Sequence, residues 1–482
     1  MRIVGNNPQL SRQTQATASG AITGGKPVIV NTDGTVTQIS GSAQVLSSEV
    51  LYRNNTSRVA DSAFDPDNGK VVIAYREGST GDAVVGTVSG STISYGNTVQ
   101  FESGDLNEVV IDYDTSNDKF LIVYVDAGDG DKGKAVVGTV SGTSISYGTI
   151  AVFNTSATSE LDCVFDSNAN RFLIVYRDAG NSAYGTAVVA TISGTDVTFG
   201  DSQAANNGYA VYESNGTSRN SLCFDSTANK IVLAYNPVVS SANKGHAVVA
   251  TISGAAVSFG STAEFHSGGI AQIEIVYDSA NNKTVIAYPD GQGISKVATV
   301  SGTSISFGSS VNFGGTNVYY LSGTYDPDNE TVIFFYSDYA DNRYGKFVTG
   351  TVSGTSISYT SATTIHSANT YYTTTVYDTT NNKIVFSFSD NGNSNKGTSI
   401  VLTTAIPTNL TSENFIGFAE DTVATGQPVT VNTKGAIDEN QSSLTPAQQY
   451  FVQTDGTLGT SADDPSVVAG TAVTATKLIV KG

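Results

Sequence analysis

The chain has 482 residues and carries 43 Asp and Glu against 24 Lys and Arg, a formal net charge of −19, which excludes a protein built to coat nucleic acid. Two cysteines and three histidines are too few for an ordinary structural zinc site, which takes about four closely spaced soft ligands. With 49 Gly, 24 Tyr and 20 Phe, a single Met and no Trp, the composition is that of a β-rich protein.

The opening stretch, MRIVGNNPQLSRQTQATASG, lacks the apolar segment of a signal peptide, and no run of about 18 apolar residues occurs anywhere. Neither export by a signal peptide nor membrane insertion is expected. Residues 25–34, GKPVIVNTDG, return near the far end as GQPVTVNTKG at 426–435. Alternating valines before an Asn-Thr-x-Gly turn predict a small hairpin-like unit in each flank. The two flanks are expected to pack together as one small β-domain.

Between them a unit of about 50 residues repeats. Its first landmark is an aromatic followed by Asp, ending at Asp65, Asp114, Asp166, Asp225, Asp278, Asp326 and Asp378. Ten residues after each Asp stands a second aromatic: Tyr75, Tyr124, Tyr176, Tyr235, Tyr288, Tyr336 and Phe388. A Ser-Gly turn follows, with glycines at Gly90, Gly142, Gly194, Gly254, Gly302 and Gly354 and an earlier copy at Gly41. The intervening runs, such as KFLIVY and AVVGTV, are rich in Val, Ile and aromatics and bounded by Asp, Asn, Gly and Ser, which reads as four strands and their turns per unit.

Four-stranded units at this period are the signature of β-propeller blades, so the predicted fold is all-β, a seven-bladed β-propeller. The seventh unit lacks its outer strand, and residues 40–52 carry a spare one. The N-terminal strand is therefore expected to close the ring against the third strand of the last unit, near 398–404, removing two exposed sheet edges. The expected organisation is an N-terminal flank 1–39, a propeller 40–408 and a C-terminal small β-domain 409–482 for virion attachment or assembly, a role that rests on the resemblance described below. Cys163 and Cys223 fall three and two residues before equivalent Asp residues, hence on opposite strand faces, and are expected to be free, buried thiols.

The turns after each aromatic-Asp pair, such as DPDNGK and DSANNK, are uniform and read as tight Asx-type turns rather than calcium loops. The loops between second and third strands, such as REGSTGD, RDAGNSAYGT and SDYADNRYGK, vary in length and chemistry, and loops on a rigid scaffold are where binding residues sit. Arg76, Arg177, Tyr184, Tyr339, Arg343 and Tyr344 offer stacking surfaces and donors there, and are the candidate ligand- or partner-binding residues. An acidic residue follows the second-strand aromatic by two positions in six units (Glu77, Asp126, Asp178, Asp290, Asp338, Asp390), with Pro237 in the other. Its repetition favours turn capping over a catalytic pair. DAGDGDKG, 126–133, is too irregular for an EF-hand loop. His246, His266 and His366 read as three isolated histidines at unrelated offsets, so no catalytic residue, no metal site and no cofactor is expected.

The C-terminal stretch, residues 414–482, and within it LTPAQQYFVQTDGTLGT, resembles a terminal module of tail-fibre-like and other virion structural proteins of aquatic (marine or cyanobacterial) bacteriophages. That resemblance covers only about 70 residues. It implies a non-enzymatic virion protein, made in the host cytoplasm and working in the virion. The expected role is a tail-fibre or tail-appendage subunit, homo-oligomeric there, whose propeller binds a host-surface glycan or a neighbouring virion protein. A head-attached fibre or decoration protein, and a glycan-degrading propeller enzyme, are the alternatives. Nucleic acid is not an expected partner.

Overall fold

A computed structural model describes residues 12–41, 44–200, 208–238, 244–405 and 408–481. Readings that fall on residues 1–11, on Ala43 and on 239–243 of the fourth long loop lie outside the described residues. Among the described residues the chain is all-β: antiparallel sheets with no α-helix, relieved only by three-residue 3-10 turns such as Ala127–Asp129. It divides into two compact units, one spanning 46–403 and the other combining the flanks up to 45 and from 404 onward.

In the larger unit each aromatic-Asp landmark ends the first strand of a repeat: Val50–Asp65, Leu106–Asp114, Ala151–Asp166, Thr217–Asp225, Glu274–Asp278, Val318–Asp326 and Thr370–Asp378. The Asp then builds the turn. Asp114 is buried, and its Oδ1 accepts the N–H groups of Ser116 (2.8 Å) and Asn117 (3.1 Å). The Asn117 amide donates to Oδ2 at 2.8 Å, and Asp118 leaves the turn left-handed at φ 54°. The two Asn bonds, from its N–H and its side-chain amide, recur at Asp278, Asp326 and Asp378. Asp and Asn supply acceptors and tolerate positive φ, so these turns are structural.

The second strands are buried through their interiors, with only end residues half-buried, because neighbouring sheets cover both faces. In Lys119–Asp126, Leu121 and Val123 pack toward Ile174 and Tyr176 of the next repeat, while Ile122 and Tyr124 pack toward Val72 and Ala74 of the previous one. Alternation along one strand thus feeds two cores. All seven second-strand aromatics are at most 1% exposed.

Each of the first six repeats holds five strands, not the four expected. The C-terminal half of the third strand pairs with a short fourth strand (Thr139↔Ser146), and its N-terminal half pairs with a fifth (Lys134↔Val152). Twice the fifth strand runs on unbroken into the next first strand, giving the 16-residue Val50–Asp65 and Ala151–Asp166. The short runs that form these strands, such as VQFE and VNFG, carry little periodicity of their own. Their position is set by an aromatic: Phe153 packs on Tyr176 of the following repeat at 5.2 Å, directly over Gly133, where a Cβ would lie 2.4 Å from the ring.

The last third strand, Lys396–Thr403, takes its outer partners from the start of the repeat region, in the register Ser399↔Val50 and Thr398↔Leu51, with the Ser47 N–H donating to the Val401 carbonyl at 2.9 Å. Consecutive first strands are neighbours throughout, and Thr370–Asp378 neighbours Val50–Asp65. No individual sheet closes on itself.

In the flank unit, one five-stranded sheet runs Gln13–Thr17, Pro428–Asn432, Phe415–Ala419, Pro27–Val30, Val36–Gln38. The two V-x-V-N-T copies thus flank the same central strand. Only the first forms a hairpin, Val28↔Gln38 to Val30↔Val36. Beside the second copy that place is held by Gln13–Thr17, so the chain leaves instead into another sheet, where Ile437–Asp438 pairs with Leu478–Val480. Cys163 and Cys223 are both free and buried.

Candidate functional site

The first strands begin, and the second strands end, at the edge that carries the irregular loops. In six repeats the first strand is bulged near its start, as between Tyr319 and Ser322 and between Tyr371 and Thr374. In five of the six the bulge puts a side-chain-bearing residue into the left-handed region: Val59, Glu160, Arg219, Tyr320 and Tyr372, with φ from 48° to 58°. Such conformations cost of order 1 kcal/mol or more in non-glycine residues and concentrate where function holds them in place. In the sixth and seventh repeats the strained residue is a tyrosine.

Those tyrosines gather the candidate loop residues around them. Tyr339 lies against Tyr319 with ring centroids 4.3 Å apart, and the Arg343 guanidinium sits 4.6 Å from the Tyr339 centroid while donating to the Tyr371 hydroxyl at 2.8 Å. Tyr320 packs at 5.2 Å from both Tyr371 and Tyr372. Tyr319 keeps 42% of its surface exposed. Burial raises the Tyr320 and Tyr339 phenols above their ordinary range, so they stay neutral donors. The result is one aromatic patch with a cation in it, drawn from two repeats.

The other candidates do not join this patch. Tyr344 begins the third strand of the same repeat, paired with Asp338. Arg76 is committed to its own surroundings: it donates to the carbonyls of Gly78 (2.9 Å) and Leu106 (2.8 Å) and pairs with Asp105 at 2.8 Å. Arg177 sits opposite Ser159 and Tyr184 opposite Asp178, both in the third repeat. Tyr319, Tyr320, Tyr371 and Tyr372 escape sequence reading because they lie in strands. The doublets V-Y-Y-L and T-Y-Y-T, each six residues before an aromatic-Asp landmark, are the signal that marks them.

Below the bulges, the first strands line a cavity of about 590 Å³. Its acidic side chains work as bridges. Asp61 accepts the Ile111 N–H at 3.0 Å, Asp112 that of Phe165 at 2.7 Å, Asp162 that of Leu222 at 2.6 Å and Glu274 that of Gly323 at 3.1 Å, each reaching the first strand of the next repeat. Glu108 does the same for Glu160 and Leu161, and Gln272 both donates to and accepts from the Leu321 backbone. First strands that diverge from one another have no backbone ladder, so side chains satisfy their inward N–H groups. Desolvation raises the carboxyls of Asp61 and Glu108, pushes Asp112 up to about 6 and drives Asp162 and Glu274 well above the usual carboxylate range.

The repeated acid after the second-strand aromatic does cap the following loop: Asp126, Asp178 and Asp390 accept the N–H groups of Asp129, Gly180 and Asn393 at 3.0–3.1 Å. It also meets the last residue of the preceding fifth strand, as in Arg53 with Glu77 (2.5 Å) and Asn154 with Asp178 (3.1 Å). Here the histidines need correction. His266 and His366 occupy equivalent places, opposite Gly245 and Gly345, and face Asp290 (3.5 Å) and Asp390 (3.1 Å). Among the described residues a third group enters only at His366, with Glu49 Oε1 2.7 Å from Nδ1.

Comparison with known families finds no matching family model, and comparison with characterised proteins finds no match.

Proposed function

We propose that the 46–403 unit is a seven-bladed β-propeller closed by the strand Val50–Asp65, and that it binds a host-surface glycan through the tyrosine–arginine patch, as part of a bacteriophage virion. The succession of neighbouring first strands and the pairing of Lys396–Thr403 with Val50 and Leu51 support the ring. The observation that carries the binding role is the patch itself: Tyr320 and Tyr372 held in strained conformations beside Tyr319, Tyr339, Tyr371 and Arg343. Aromatic faces stack on the C–H faces of sugars, a guanidinium donates to their hydroxyls, and such groups dominate binding hot spots.

The reading is non-catalytic. Asp338, the carboxylate bordering the patch, is held by Lys346 at 3.0 Å and by the Ala340 N–H at 3.2 Å, so the patch offers stacking and donation rather than an acid–base pair. The virion assignment rests on the resemblance of residues 414–482. The test is binding of the full chain to purified host envelope polysaccharide and to host cells. A Tyr339→Ala, Arg343→Ala double variant is expected to lose at least about tenfold in affinity, the scale of one hot-spot pair, while Asp196→Ala at an exposed turn of the opposite edge binds as wild type. Equal binding by both variants would refute the patch as the site. Labelling of intact virions tests the location independently.

A further inference from the structure

The geometry points to a divalent metal site of the zinc or manganese kind at His366 and Asp390, oriented by Glu49, which ties the start of Val50–Asp65 to the sixth and seventh repeats. His366 and Asp390 are each 5% exposed, and the imidazole lies on Phe388 with centroids 4.7 Å apart. The ring stands between two carboxylates, Nδ1 to Glu49 Oε1 at 2.7 Å and Nε2 to Asp390 Oδ1 at 3.1 Å. One ligand atom from each of the three residues lies within 4.8 Å of the others.

A neutral imidazole carries one N–H and satisfies one carboxylate only. The other contact would set a ring lone pair against a carboxylate oxygen unless the ring takes a second proton or a metal ion lies between them. The distances assign the two sides. Ligands about 2.0–2.2 Å from a tetrahedral zinc ion stand roughly 3.3–3.6 Å from each other, so Nε2 and Asp390 at 3.1 Å need part by only a few tenths of an ångström, whereas Nδ1 and Glu49 at 2.7 Å are too close to share the ion. The short contact is therefore the Nδ1–H bond to Glu49, the second-sphere carboxylate that fixes the tautomer and turns Nε2 toward the metal. Glu49, with 47% of its side chain exposed, marks the solvent side, from which water completes the coordination. At His266, equivalent in register, no third His, Cys or carboxylate joins among the described residues, and its Asp290 is 55% exposed, so it serves as an internal control.

The experiment titrates the full chain, stripped with EDTA, with Zn²⁺ and separately with Mn²⁺ at pH 7.5, reading stoichiometry by calorimetry and Tm by thermal scan. Wild type and His266→Ala are expected to bind one ion per chain and to gain roughly 2 °C or more in Tm under saturating metal. His366→Ala is expected to lose both effects, and Glu49→Gln to bind at least about tenfold more weakly, as when an orienting carboxylate is removed. Absence of stoichiometric binding to wild type by either ion would overturn the proposal and leave a doubly paired imidazolium. Unchanged binding in His366→Ala would overturn it as well. The wild-type titration decides even if a variant fails to fold.

Discussion

Asp112 offers a sharp test of how the first strands are held together. Its carboxylate accepts the N–H groups of Phe165 (2.7 Å) and Tyr113 (2.8 Å), yet burial still raises its pKa from 3.8 to about 6. The folded carboxyl thus holds its proton more tightly than the unfolded chain does. The native state takes up that proton between about pH 6 and 4, so stability rises as pH falls through this window and is lower above it. A shift of roughly two units corresponds to about 3 kcal/mol. The side chain is partly open to cavity water, which reduces this to about 1–2 kcal/mol. Asp112→Asn removes the titration but leaves one of the two N–H groups without its acceptor, at about 1–2 kcal/mol. The two effects nearly cancel at pH 7.5, and at pH 4.5 only the loss remains. Urea unfolding is therefore expected to show wild type and Asp112→Asn within about 0.5 kcal/mol at pH 7.5, and wild type ahead by about 1–2 kcal/mol at pH 4.5. Asp196→Asn, at an exposed turn, controls for the general relief of negative charge. If Asp112→Asn kept the same pH dependence as Asp196→Asn, the carboxylate would not be desolvated as described.

Two further perturbations address the packing between repeats. Tyr124 is fully buried, lies 5.3 Å from Phe101 and donates to Glu102 at 2.9 Å. Tyr124→Ala should destabilise by about 3–5 kcal/mol and Tyr124→Phe, which leaves only the carboxylate short of a donor, by about 1–3 kcal/mol; equal losses by chemical denaturation would show that packing of the ring adds little beyond the hydroxyl's hydrogen bond. Gly133→Val should clash with Phe153 and cost about 2 kcal/mol or more, with a lower urea midpoint as the readout, whereas Gly142→Asn, at a left-handed turn position with open space, should stay within about 0.5 kcal/mol.

Much of this architecture was legible in the sequence because it rests on local chemistry. The Asp-Asn turns recur because backbone N–H groups one turn away need acceptors and the last residue needs positive φ. The second strands read as unbroken apolar runs because both of their faces are covered. The fifth strand was not legible: four residues such as Val99–Glu102 carry too little pattern, and an aromatic over a glycine of another strand is a contact that spacing does not reveal. The candidate patch was half legible. The loop sequence SDYADNRYGK marked Tyr339 and Arg343, but Tyr319, Tyr320, Tyr371 and Tyr372 became its members only through bulges that turn strand residues outward. The carboxylate bridges and the grouping of Glu49 with His366 and Asp390 join residues about 50 to more than 300 positions apart. What the sequence determined by itself is what neighbours along the chain settle: turns, strand runs, repeat length and the alternation that fills two cores. What only the tertiary structure decided is which polar groups meet across repeats, because that depends on how divergent strands leave N–H groups unsatisfied, and on which side chain is near enough to reach them.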